Sequence, residues 1–166
     1  MAIIPSIASI VPEQEAPKLR EGGSVPLFYL PAVGGGQSGP AALRSKYNMV
    51  LAFVEGSAEG ESYLESLVAA YRDIQDSQAK LIAVVPLPLQ DAAKLAERLK
   101  LPYALLADEG GATTKRMLGG SNRAALCVAD RYGQTFYVEF APKSASLPSI
   151  QSALSWLEYI QIQCPE

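Results

Sequence analysis

Two uninterrupted apolar runs organise the middle of this chain. Residues 47–55 (YNMVLAFVE) and 80–86 (KLIAVVP) carry almost no polar interruption, the pattern of strands buried on both faces. Between them Leu64, Leu67, Val68, Tyr71 and Ile74 recur at helical spacing. That spacing predicts an amphipathic helix from about Glu61 with one buried stripe. After the second run, Ala92, Leu95, Ala96 and Leu99 predict another helix over residues 89–100. A buried strand, a helix and a second buried strand imply a right-handed parallel crossover.

The pattern shortens beyond residue 100. Residues 102–107 carry Leu105 and Leu106 towards a turn at Asp108, Glu109, Gly110 and Gly111. A short helix is expected over 113–118, stopped by Gly119-Gly120. Residues 123–129 (RAALCVA) read as a strand, 130–133 as a turn and 134–140 as its antiparallel partner. Pro148 suits the start of a last helix, with Ile150, Leu154, Leu157 and Ile160 on its buried face. Ahead of the first buried run, residues 25–33 (VPLFYLPAV) suggest a short strand, followed by a turn at Gly34-Gly35-Gly36. A glycine-rich loop invites a phosphate-binding reading, but no long amphipathic helix follows this one at once. A hairpin tip is the better reading. Residues 1–24 show no clear periodicity and form an N-terminal arm, of which residues 2–10 could dock. Residues 25–166 form the domain. The order β, β, α, β, α, short α, β, β, α describes an α/β protein with a central mixed β-sheet and helices on both faces.

Composition narrows the chemistry. The chain has 166 residues, 49% of them hydrophobic and 19% charged, which suits one globular domain. Its net charge is −3 and its 14 basic residues are scattered, so no nucleic-acid footprint is expected. Histidine is absent, which excludes Ser-His-Asp and Cys-His catalysis and histidine-ligated zinc. The two cysteines, Cys127 and Cys164, lie too far apart for a metal-ligand motif. No run approaches the roughly 18 apolar residues of a membrane span, and residues 1–12 lack a basic leader. A cytoplasmic protein without cofactor or metal is the expectation.

Four phrases carry a resemblance. Residues 25–31 (VPLFYLP), the buried strand over 49–54, residues 101–108 (LPYALLAD) and residues 126–133 (LCVADRYG) occur in the order and separation seen in the thioredoxin-like superfamily. The chain most resembles the peroxiredoxins and redoxins of the alkyl-hydroperoxide-reductase/thiol-specific-antioxidant group over residues 25–160. The resemblance implies a thioredoxin-like fold and a thiolate at the N-terminus of the helix after the 49–54 strand, where dipole and backbone N–H groups lower a thiol pKa. The matching loop is Ser57-Ala58-Glu59-Gly60 and has no cysteine. Ser57 stands at the attacking position and Gly60 at that of a CxxC partner. An unassisted serine hydroxyl is barely ionised, and Glu55, Glu59 and Glu61 oppose an anion there, so a helix cap is the better reading of Ser57. The cis-proline that the superfamily places before the strand at 126–129 is replaced by Ala124 and Ala125. Arg123 lies one residue ahead of the arginine with which peroxiredoxins steady the thiolate; a surface role at the strand end is favoured for it.

Few groups remain for chemistry. Cys127 reads as a small core hydrophobe. Cys164 reads as a tail residue, with a peripheral thiol or an intermolecular disulfide as alternatives. The carboxylates Glu55, Glu59 and Glu61, or Asp108 and Glu109, could meet a hard cation, but solvated loop charges are favoured. Two functions stay open. One is a non-catalytic module that binds a protein partner or forms a homodimer, with Trp156, Tyr159 and Phe140 as contact surface. The other is a divergent antioxidant thiol oxidoreductase using Cys164 or Cys127.

Overall fold

The computed structural model describes residues 16–163. Its centre is a five-stranded sheet in the order β5-β4-β3-β6-β7. The strands are β3 (Asn48–Phe53), β4 (Ala79–Val85), β5 (Ala104–Ala107), β6 (Ala124–Ala129) and β7 (Thr135–Ala141). β3, β4 and β5 run parallel, while β6 and β7 are antiparallel to their neighbours. The mixed α/β sheet expected from the pattern is therefore present.

The continuous apolar runs become central strands, because every residue of β3 is buried. Side chains alternate between two cores. Val50, Ala52 and Val54 face one, while Met49, Leu51 and Phe53 face the other. The first core is covered by α1 (Ala58–Asp76), α2 (Leu89–Leu99) and α4 (Ile150–Gln163). Crossovers β3-α1-β4 and β4-α2-β5 step the same way across the sheet, so one hand of connection puts both helices on one face. The second core is covered by α3 (Ala112–Leu118) and by residues from the irregular N-terminal segment, including Leu19, Val25, Phe28 and Leu43.

Three departures from the expected pattern have local causes. β1 (Leu30–Pro31) and β2 (Gln37–Ser38) form only a short ribbon, although its Gly34-Gly35-Gly36 tip is the expected hairpin turn, with φ of 104°, 122° and 71°. Pro26 and Pro31 cannot donate to a longer ladder. β5 is a fifth strand where the pattern suggested a run into a turn; four residues after Pro102 are too few to show a period. α1 begins three residues earlier than expected, at Ala58, because Ser57 caps it. On α4, Ala153 is fully buried whereas Leu154 is only half-buried. No helix of the described residues is long and apolar enough to cross a membrane.

Candidate functional site

At the carboxyl ends of the parallel strands, four connections converge. β3 runs into Glu55-Gly56-Ser57, Pro86 follows β4, Gly110 and Gly111 follow β5, and residues 120–123 lead into β6. With Thr114 and Lys115 of α3 they line a cavity of about 680 Å³. β3 and β6 are where the sheet order changes direction, and such a switch point leaves a crevice that connections on either side wall in.

Ser57 opens α1. Its backbone is extended (φ −130°, ψ 176°), its Oγ accepts the Gly60 N–H at 3.4 Å, and its carbonyl accepts the Glu61 N–H at 2.9 Å. This is the expected N-cap. Gly60 is buried one turn into the approach, and a Cβ built there would run into the Glu55 carbonyl oxygen. The obstacle is backbone, so no side-chain rotamer relieves it. Position 60 has no room for a thiol.

Three of the five candidate carboxylates, Glu55, Glu61 and Asp108, have partners, while Glu59 and Glu109 are exposed. The Glu55 N–H donates to Ser144 Oγ at 3.0 Å, and the Ser144 N–H donates back to Glu55 Oε1 at 3.1 Å. This clasp ties the β3–α1 loop to the 3-10 turn Ser144–Ser146 ahead of α4. Glu61 accepts both Arg98 terminal nitrogens of α2, at 3.1 and 3.2 Å, and that hydrogen bond together with its charge raises the guanidinium pKa further. Asp108 is buried and accepts N–H groups of Thr113 and Thr114 at 3.3 and 2.7 Å and the Thr114 hydroxyl at 2.8 Å, which anchors the start of α3. Reading Glu55 and Asp108 as solvated loop charges is thereby corrected: both are structural acceptors. Among the described residues no group of three or more Asp, Glu, Cys or His could hold a metal ion.

Arg123 is exposed, donates its N–H to the Ala141 carbonyl at 3.0 Å, and lines the same cavity as Ser57. Ala124 and Ala125 are fully buried at the head of β6, with Ala125 paired to Phe53 and Phe140. No peptide bond of the described residues is cis. Cys127 sits two residues deeper, between Leu51 and Val138, with no exposed surface. Burial pushes its thiol up to about 12, so it is a protonated hydrophobe, as expected. Cys164 lies outside the described residues, as does the 2–10 segment. Trp156 stacks on Tyr137 at 6.1 Å and meets Tyr159 edge-on at 5.5 Å, with Phe136 completing the cluster between β7 and α4. Phe140 is half-buried against the second core instead.

Pro86, Gly110-Gly111, Lys115 and the Glu55–Ser144 clasp were not foreseen. The usable signal was positional: Pro86 and Gly110 each follow an apolar run by a residue or a few, where parallel strands bring their ends together. A clasp between residues 89 positions apart leaves no mark on local pattern.

No family model matches this sequence, and no curated protein sequence matches it. Solved structures do. Peroxidoxin BcpB from Mycobacterium tuberculosis aligns with a TM-score of 0.73 at 19% identity, over 86% of this chain and 98% of that one. The reduced 2-Cys peroxiredoxin of Plasmodium vivax gives 0.74 at 18% identity, covering 87% and 83%. The thiol peroxidase of Chromobacterium violaceum gives 0.67 at 15% identity, covering 86% and 88%. The fold is the peroxiredoxin-like form of the thioredoxin fold.

Proposed function

We propose that this chain uses a peroxiredoxin-like fold as a non-catalytic binding module. One observation carries the reading: Ser57, at the position the resemblance assigns to the thiol, caps α1, and Gly60, at the position it assigns to the partner, has no space for a side chain. The sole cysteine among the described residues is sealed in the core with its thiol held protonated. The crevice itself persists at about 680 Å³. Lys115 and Arg123 line this crevice, and the Glu55 carboxylate that also lines it accepts the Ser144 N–H, a balance that favours an acidic segment of a partner protein. A second contact surface is the β7–α4 aromatic cluster, where Tyr159 is 45% and Ile162 70% exposed; a homodimer or a partner protein would meet it there.

The test is peroxide turnover. The purified chain, a Cys127→Ala variant and a Cys164→Ala variant are incubated with hydrogen peroxide and a thiol reductant, and peroxide loss is followed with intact mass. The expected result is no turnover above buffer in any of them. Turnover lost with either cysteine would overturn the reading and assign a thiol peroxidase instead.

A further inference from the structure

The starts of β3 and β4 and the end of β6 meet at the end of the sheet opposite the crevice, where Met49 pairs with both Lys80 and Ala129. Asn48, buried there, ties three connections together. Its Oδ1 accepts the Arg131 N–H at 3.0 Å, and its Nδ2 donates to the Ser77 carbonyl at 3.4 Å. The Ser45 N–H donates to the Arg131 carbonyl at 2.7 Å, and Arg131 Nη2 donates to Gln78 Oε1 at 3.4 Å. The Arg44 guanidinium lies against Gly133, where it would meet any Cβ. Lys80 Nζ sits 4.9 Å from the centre of the Tyr47 ring. Arg44, Lys46, Lys80 and Arg131 come from three separate stretches of sequence, and the fold gathers them.

Two features set this surface apart. It is cationic without local compensation. Among the described residues Arg98 is the one cation with a carboxylate within 4.0 Å. Asp130, the acid of the adjoining turn, is buried and accepts the Tyr132 and Gln134 N–H groups at 3.0 and 2.9 Å. Asp73 and Asp76 line a hollow with Glu158 on the α1–α4 side, whereas Lys80 alternates with Ala79 and Leu81 of the first core and so points to the other face. The surface is also aromatic. Tyr132, in the turn from Asp130 to Gly133, is 66% exposed, and Tyr47 is 38% exposed. Cations alone would suit any polyanion. Exposed rings beside them add faces on which an unpaired base can stack, and neither an acidic peptide nor a lipid headgroup supplies such a base.

We infer that this end of the sheet binds single-stranded nucleic acid, with Arg44, Lys46, Lys80 and Arg131 on the phosphates and Tyr132 and Tyr47 against the bases. With a net charge of −3 on the whole chain, binding is confined to this patch. It lies away from the crevice and is independent of the binding-module reading.

Fluorescence anisotropy with a fluorescein-labelled oligothymidylate of about 12 nucleotides, at several salt concentrations, tests this on the full chain. Binding should saturate, with a Kd that rises with salt. Tyr132→Ala should weaken it at least about fivefold, and Tyr132→Phe should not, because the ring carries the stacking. Lys46→Ala should lower the slope of log Kd against log salt by about 0.7, while Lys94→Ala on α2 should leave it unchanged. Lys46, Lys94 and Tyr132 are exposed, so none of these variants disturbs the core. No saturable binding at low salt, or binding indifferent to Tyr132→Ala, overturns the inference. So does equal competition by a duplex of the same length, by polyglutamate or by phosphatidylserine vesicles, since each of these would report charge alone.

Discussion

Replacing Gly60 by alanine sets two opposed effects against each other at one atom. In a helix of ordinary surroundings the change is favourable by about 1 kcal/mol, since glycine has the weaker helix propensity. Here the added Cβ would run into the Glu55 carbonyl oxygen and come within 3.2 Å of the Glu55 nitrogen. Neither atom belongs to a flexible side chain, so relief requires the first turn of α1 to move away from the β3–α1 loop. That movement lengthens the Ser57 cap, already 3.4 Å, and strains the two bonds of the Glu55–Ser144 clasp. Caps and buried hydrogen bonds are each worth about 1 kcal/mol, and overpacking costs about 1–3 kcal/mol. The net expectation is a loss of about 2–4 kcal/mol, or a thermal midpoint lower by roughly 5–15 °C for a domain of this size. Urea unfolding followed by far-UV circular dichroism measures it, with an unchanged m-value showing that the same transition is compared. A neutral or stabilising Gly60→Ala would refute the close approach, and with it the argument that position 60 cannot house a second thiol.

Three further outcomes follow from buried groups. Asp108→Ala should cost about 2–4 kcal/mol in urea unfolding, because the Thr113 and Thr114 donors lose a buried charged acceptor, and Asp108→Asn should recover part of it. Thr135 Oγ1 is buried without a hydrogen-bond partner among the described residues, so Thr135→Val should stabilise the protein by about 1 kcal/mol in the same assay. The Cys127 thiol is raised from its ordinary 9.0 to about 12, so the folded chain holds a proton that the unfolded chain releases first. Its contribution is intact below about 9 and is lost as pH rises towards 12. Cys127→Ala should therefore show a shallower fall in urea midpoint than the unmodified chain over that window; parallel curves would count against the buried thiol as a source.

Legibility tracked the range of the interaction. Met49–Val54 and Leu64–Ile74 announced themselves because burial on two faces, or on one helical stripe, dictates residue type at every position. Ser57 as a cap was readable for the same reason, since an N-cap is a contact across three residues. β5 was missed because its four residues lie too close to Pro102 and Asp108 to display a period. The site was half legible. Ser57 and Arg123 were placed by resemblance at one crevice, and both line it. The roles of Glu55 and Gly60 were not readable, because the one depends on Ser144, distant in sequence, and the other on a backbone approach that leaves no sign in composition.

Residues 19–25 lie along the outer edge of β7, where Gly22 and Val25 donate to the Thr135 and Gly133 carbonyls and Glu21 accepts the Val138 N–H, and this strap orders events in time. Glu21 and Val138 are 117 residues apart, and Leu19 packs in a core that includes Ala125, Cys127 and Ala129 of β6. During synthesis the N-terminal residues emerge first, yet the surface that receives them is not completed until the last hairpin has formed. Contacts of such separation close late, after the cost of a long loop has been met. Until then the side of β3 formed by Met49, Leu51 and Phe53 lacks that part of its apolar cover, and exposed apolar surface of this kind promotes aggregation. Chaperone dependence and yield should therefore respond more sharply to changes at Leu19, Val25 and Phe28 than to equally buried positions on α2, whose partners in β4 and β5 lie close by in sequence.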